Sequence, residues 1–223
     1  STRVRSSAAS DVYKRQDKMM VINNPVDINS VNNSVGDCPQ ELLDKHIYTF
    51  IAAGRLAYQK GYDIIIERMS EMKSNLNFNL LILGSGELEN DLKQLVISKG
   101  LSDYVRFIGY RKNVSSYIRY ADALLLSSRY EGFPNIVLEA NSLGKPVFSN
   151  SCKGGINEII INGSNGLACD FTNKEDFQNG LHEFLGTKFD ESKIVELTSS
   201  RYSIETIITV SYTHLTLPTI LRV

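Results

Sequence analysis

Charge of one sign, paired cysteines and long apolar runs are all in short supply in this 223-residue chain. Basic residues number 24 and acidic ones 25, a formal net charge of −1. No global field exists to hold nucleic acid or an anionic membrane, so any anion site has to be local. The three cysteines, Cys38, Cys152 and Cys169, are far apart, odd in number and form no CxxC pair. Neither a disulfide framework nor a zinc site is expected, and a reducing cytoplasm fits best. No apolar run approaches the length needed to span a bilayer, and nothing in the sequence requires membrane contact. Internal repeats, low-complexity tracts and an Asp-x-Asp pair are also missing. His46, His182 and His214 stand alone, so no metal and no cofactor are expected.

What is present reads as an ordinary globular domain, 42% hydrophobic and 22% charged. Short apolar runs at 47–53, 78–84, 105–109, 123–128, 146–150 and 166–170 predict strands. Segments of helical period at 62–73, 87–99, 114–120, 136–143, 156–161 and 174–185 predict helices between and after them. Thr172 with Glu175 has the spacing of a capping box for the last helix. The strands are continuously apolar, as expected when helices cover both faces. The fold class is therefore α/β: a doubly wound parallel sheet, Rossmann-like. Such sheets bind ligands beyond the carboxyl ends of their strands, which points to the loops 54–61, 84–87, 109–113, 128–135 and 150–155.

Two of these loops carry the chemistry. GRLAYQKG (54–61) leaves a buried strand and brings Arg55 and Lys60 to the binding edge, with Gly54 and Gly61 allowing tight backbone turns. A planar guanidinium fork and a compact ammonium suit a diphosphate, although two solvated surface cations would read the same way. RYEGFPNIVLEA (129–140) places Glu131 after a buried strand and resumes helical period near Asn135. The free amides of that helix start favour an anion. Glu139, four residues beyond Asn135, sits above the helix start on the same face, where it can accept hydrogen bonds from a diol such as ribose. Glu131 can reach a second polyol. The ordinary alternative is one surface glutamate and one acid early in a helix. That alternative leaves unexplained why Glu139 is embedded in the apolar run of Ile136, Val137, Leu138 and Ala140.

Glu131 and Glu139, with seven residues between them, resemble the EX7E motif of retaining glycosyltransferases of the GT-B architecture, and of glycosyltransferase family four in particular. GRLAYQKG resembles that family's diphosphate loop, and LLILGSGELE (80–89), VRFIGYRKN (105–113), ADALLLSSRYEGFPNIVLEA (121–140) and GGINEII (154–160) resemble its later signatures in order. VINNPVDINSV (21–31) looks like the hinge that enters the family's second domain. The resemblance implies the C-terminal, donor-binding half of such an enzyme. Arg55 and Lys60 would then neutralise the diphosphate, Glu139 would bind ribose and Glu131 the donor sugar. The segment Gly132, Phe133, Pro134, Asn135 and Ile136 would hold phosphates, Gly109, Tyr110 and Arg111 would border the base, and Gly54 and Gly84 would line the nucleotide's path. SNSCKGGIN (149–157) departs from the family, which often has an aspartate there.

The same resemblance sets the expected organisation. Residues 1–16 and 210–223 continue no neighbouring element and resemble peptides translated from sequencing-adapter DNA, so they are expected to be foreign tails. Residues 17–40 would be hinge and linker, with the polar stretch Asn29 to Cys38 as the linker, and 41–209 the donor-binding domain. The donor would be a nucleotide-diphosphate sugar, UDP-linked by family frequency, and the acceptor a glycan or lipid-linked sugar met through a missing N-terminal domain. The full enzyme would be cytoplasmic or peripheral at the inner membrane face. Competing expectations are a GT-B epimerase or phosphorylase, against which EX7E and the lack of a pyridoxal phosphate lysine argue, and a binding fragment without activity.

Overall fold

The computed structural model describes residues 23–43 and 47–209. Both expected tails, and Asp17 to Ile22 of the expected hinge, lie outside the described residues. Six strands form one parallel sheet: β1 (Tyr48–Ala53), β2 (Phe78–Leu83), β3 (Val105–Gly109), β4 (Ala123–Leu126), β5 (Val147–Asn150) and β6 (Gly166–Cys169). Their order is β3-β2-β1-β4-β5-β6, so the winding reverses between β1 and β4. That reversal opens a crevice at the carboxyl ends of these two strands.

Side-chain alternation along the strands explains why helices must cover both faces. Phe50, Ala52, Leu80, Ile82, Leu125 and Phe148 belong to one buried cluster, and Ile51, Leu81, Leu83, Leu124, Leu126 and Val147 to the other. The first face is covered by α3 (Tyr62–Glu71), α4 (Glu89–Ser98) and α8 (Lys174–Gly186), through Ile65, Ile66, Leu92, Val96, Phe177 and Phe184. Phe50, Phe148, Phe171, Phe177 and Phe184 pack there as tilted and edge-on rings, with neighbouring centroids from 4.8 to 6.2 Å apart. The second face takes α5 (Val114–Tyr120), α6 (Asn135–Ser142) and α7 (Ile156–Ile159), with Tyr202 at the end of α9 (Glu191–Tyr202).

Three expectations are corrected. The stretch Asn29 to Cys38 is not a bare linker. It contains α1 (Ile28–Asn33), started by Asp27, whose carboxylate accepts the Ser30 amide at 2.9 Å. The stretch is also tied to the start of α5, because the Gly36 amide donates to Ser116 Oγ at 2.8 Å. A short α2 (Gln40–Leu43) follows. The cap of α8 is Asn173, which accepts the Glu175 and Asp176 amides at 2.9 and 3.2 Å. Thr172 is unavailable, since its hydroxyl donates to Asp170 at 2.6 Å. Finally, α9 was not expected at all. Its buried stripe is Ile194, Thr198 and Tyr202, a four-residue spacing in which the middle member is polar. Asp190, which accepts the Ser192 amide at 3.0 Å, is the sequence signal that marks its start.

Candidate functional site

The β1–α3 loop (54–61) and the β4–α6 loop (127–134) meet at the reversal of winding, and they are bound to one another at several points. Ser127 Oγ donates to the Lys60 carbonyl at 2.8 Å, the Arg129 amide to the Gln59 carbonyl at 2.8 Å, and Gln59 Nε2 to the Tyr130 carbonyl at 3.1 Å. Arg129 forms a two-pronged pair with Asp63, one bond of 2.8 Å, and stacks 4.0 Å above the Tyr58 ring. Its hydrogen bonds hold the Asp63 carboxyl below the usual range, against the effect of burial.

Glu131 lies where the two loops touch. Lys60 Nζ and Ser128 Oγ both donate to its Oε1 at 2.6 Å, and the Glu131 side chain is only 9% exposed. The loop is held from behind by 153–155: the Glu131 amide donates to Lys153 and the Gly155 amide to Gly132, at 3.2 and 2.8 Å. Gly154 has φ +122°, and a Cβ there would overlap the Glu131 carbonyl oxygen, so glycine is required by close backbone approach. Where the segment 149–157 lacks an aspartate, Asn150 bonds the Ser128 carbonyl through Nδ2 and the Phe171 amide through Oδ1, each at 2.9 Å.

Beside this cluster is a cavity of about 450 Å³ over the ends of β1 and β2. Gly54, Arg55, Gly84, Tyr110, Arg111, Ile136 and Glu139 line it, together with Ala53, Leu83, Ser85 and Val114. Arg55 is 74% exposed and pairs with Glu87 at 3.1 Å. Arg111 is set from behind by α5 and α2: its Nε donates to Tyr117 Oη and that hydroxyl donates to Glu41 Oε2, both at 3.1 Å. Burial would push the Glu41 carboxyl up, but hydrogen bonds from its own amide and Tyr117, with Arg111, hold it below the usual range. Glu139 is half-buried, and its carboxylate accepts no hydrogen bond and makes no ion pair with any described residue. Burial alone pushes that carboxyl up.

The residues singled out from sequence therefore fall into three groups. Seven of them line the cavity, while Lys60 and Glu131 form the neighbouring closed pair. Of the rest, Gly109 ends β3 and its carbonyl accepts the Gly84 amide at 2.9 Å. Pro134 precedes α6 and gives no side-chain cap; its carbonyl accepts the Val137 amide at 3.0 Å, which leaves the Asn135 and Ile136 amides without an acceptor among the described residues. Phe133 turns toward Tyr202, with ring centroids 5.9 Å apart, and Asn135 accepts from Asn24 Nδ2 at 3.3 Å. A Cβ on Gly132 would meet nothing within 4 Å. Gly84 borders the cavity, but its bareness has a reason inside the protein: at φ +138° a Cβ would overlap the Gly54 carbonyl. Sequence reasoning missed Ala53, Leu83, Ser85 and Val114 as wall residues, although Ser85 falls in a loop that the strand-end rule points to. Among the described residues, no three His, Cys, Asp or Glu side chains gather as a metal site would require.

The family model described as "Glycosyl transferases group 1" matches residues 38–196. The chain belongs to the group 1 glycosyl transferases. A curated glycosyltransferase of Haemophilus influenzae, itself uncharacterised, is 32% identical over 164 residues, covering 72% of this chain and 46% of that protein. The lipopolysaccharide outer core galactosyltransferase WaaB, solved in its apo form, superposes with a TM-score of 0.77 at 23% identity, over 96% of this chain and 60% of WaaB. Anabaena HepE, solved in complex with UDP, gives a TM-score of 0.76 at 21% identity, over 95% and 61%. These two structures bear out the doubly wound, GT-B-type fold. This group 1 glycosyl transferase chain spans less than half the length of the curated relatives it matches, from 29% to 48%. No helix among its described residues is long and apolar enough to cross a membrane.

Proposed function

We propose that this chain is the donor-binding domain of a retaining glycosyltransferase that moves a sugar from a nucleotide-diphosphate sugar, UDP-linked in the first instance, to a glycan or lipid-linked acceptor. One observation carries the reading. Arg55 and Glu139 border the same cavity at the reversal of winding, and Glu139 is a half-buried carboxylate with no partner among the described residues. A diphosphate supplies the anion that the guanidinium fits, and a ribose diol supplies the donors that the carboxylate needs. In this reading Gly109 to Arg111 border the base, and the amides of Phe133 to Ile136 meet the phosphates. Glu131 contacts the donor sugar beside the nucleotide.

Cleavage of the glycosyl–phosphate bond builds negative charge on the departing phosphate. Arg55, Lys60 and the free amides of α6 are positive groups that stabilise this charge as it develops, without proton transfer. Metal-independent transfer is part of the proposal. So are the acceptor, the preceding domain that would present it, and a cytoplasmic location with peripheral contact at the inner membrane face. Support for UDP comes from Anabaena HepE, whose crystals hold it.

Calorimetric titration of the purified chain with UDP, GDP and ADP, repeated in EDTA, tests the donor half. One nucleotide is expected to bind at micromolar strength, unchanged by EDTA. No binding of any of the three rejects the reading, and a large loss in EDTA rejects metal independence. Assays of donor hydrolysis and sugar transfer on the same sample separate an active enzyme from a domain that binds without turnover.

A further inference from the structure

Glu131 is held by two donors that differ in kind. Lys60 is a long, flexible side chain, 21% exposed, and it enters from the loop assigned to the diphosphate. Ser128 is fully buried and short. Its backbone is fixed from the neighbouring strands, because its carbonyl accepts Asn150 Nδ2 at 2.9 Å and Asn150 in turn accepts the Phe171 amide. Both donors reach the same oxygen, Oε1, at 2.6 Å, which fills its two lone pairs. Oε2 accepts nothing from the described residues and is the oxygen left for a ligand.

A diphosphate competes for one of these two holders and not for the other. An ammonium is a point charge that a doubly charged phosphate pair will draw to itself, whereas a buried hydroxyl cannot follow. We propose that Ser128 is the positioning residue for Glu131 in the donor-bound state: it alone keeps Oε1 in place when Lys60 turns to the diphosphate, so that Oε2 faces the donor sugar. Lys60 thereby connects the two halves of the donor. Its departure from Glu131 reports phosphate binding to the sugar-contacting carboxylate, and Ser128 prevents that carboxylate from following it. This inference rests on the donor-binding reading given above for its ligand, but the geometry of the three side chains stands independently of that reading.

The test separates the two. Affinities are measured calorimetrically for the tightest of UDP, GDP and ADP and for its glucose conjugate. Ser128→Ala is expected to bind the bare nucleotide within twofold of the parent chain and to lower the sugar's contribution, the ratio of the two affinities, at least fivefold. In a Glu131→Gln background the same change is expected to do nothing further to that ratio, a coupling that mere loosening of the loop does not produce. An unchanged ratio, or an equal loss for both ligands, overturns the proposal. A readout without ligand is the crystal structure of Lys60→Met, which imitates the withdrawal of Lys60. Glu131 Oε1 is expected to remain on Ser128 Oγ, and a carboxylate turned away from Ser128 overturns the proposal whether or not any nucleotide binds. Failure of the parent chain to bind any nucleotide refutes the donor reading, and the Lys60→Met structure then decides the role of Ser128 alone.

Discussion

Glu131 and Glu139 stand eight positions apart at the same edge of the sheet, yet their surroundings are opposites. Glu131 is nearly covered and saturated at one oxygen by Lys60 and Ser128. Glu139 is half-buried, is pushed up by that burial and receives nothing in return from the described residues. A carboxylate that has lost part of its water shell without gaining a donor lowers the stability of the fold. It makes sense where an absent molecule brings the donors. The contrast teaches which carboxylate the protein satisfies by itself and which it does not: Glu131 is held by its own neighbours, and Glu139 is left open.

The strongest way to break this comparison is through stability. Lys60→Met leaves the Glu131 carboxylate covered and without its counter-charge, which is expected to cost about 2 kcal/mol for a pair that is not wholly buried. Urea unfolding should show a lower midpoint with an unchanged slope. Glu139→Gln, in contrast, removes a charge that nothing in the fold uses, and is expected to leave stability unchanged or raise it by less than about 0.5 kcal/mol. Similar losses for the two variants would mean that Glu139 has a structural partner after all.

Binding should invert that order. Glu139→Gln is expected to weaken the preferred nucleoside diphosphate about tenfold, roughly 1.4 kcal/mol, while leaving inorganic pyrophosphate, which has no diol, unaffected. Equal weakening of both ligands would move Glu139 from the ribose to the phosphates.

Acidity sharpens the same contrast without mutation. The folded-state carboxyl of Glu139 is raised above its unfolded value, so the folded chain holds that proton more tightly than the unfolded one. Its contribution to stability is present below the ordinary carboxylate value and is lost as pH rises through the raised one. Nucleotide affinity should run the other way, strengthening with pH over the same window as the ionised acceptor forms. Both trends should vanish in Glu139→Gln. Parallel trends in stability and affinity would identify a different titrating group.

How much of this was readable beforehand depends on the range of the interaction. The six strands follow from apolar runs that local composition displays, and the oddity of a glutamate inside Ile136 to Ala140 already marked Glu139. The closing of Lys60 onto Glu131 could not be read, because the two lie 71 residues apart and meet only through the adjacency of β1 and β4. The sequence suggested two neighbouring binding loops, but not that their charges would engage each other before any ligand does. The error at Asn29 to Cys38 was of another kind. Polar composition resembled a linker, while a single cap at Asp27 was enough to start a helix. In α9 a polar Thr198 in the buried stripe hid a four-residue period from a search for apolar matches.

The smallest effect is expected at the cavity's exposed cation. Arg55 is held by Glu87 in a pair that is largely solvated on both sides, with side chains 74% and 54% exposed. Such pairs contribute between nothing and about 1 kcal/mol, so Glu87→Gln should leave the urea midpoint within error. If Arg55 serves the diphosphate, its release from Glu87 should instead show in the ligand, with affinity for the nucleoside diphosphate rising by a factor of about two at low salt. The gain should fade as salt screens the competition. It should be absent for the bare nucleoside, which carries no phosphate for Arg55 to meet. A gain for nucleoside and diphosphate alike would place Arg55 at the base or the ribose, and the proposed division between the satisfied Glu131 side and the open Glu139 side would have to be redrawn around it.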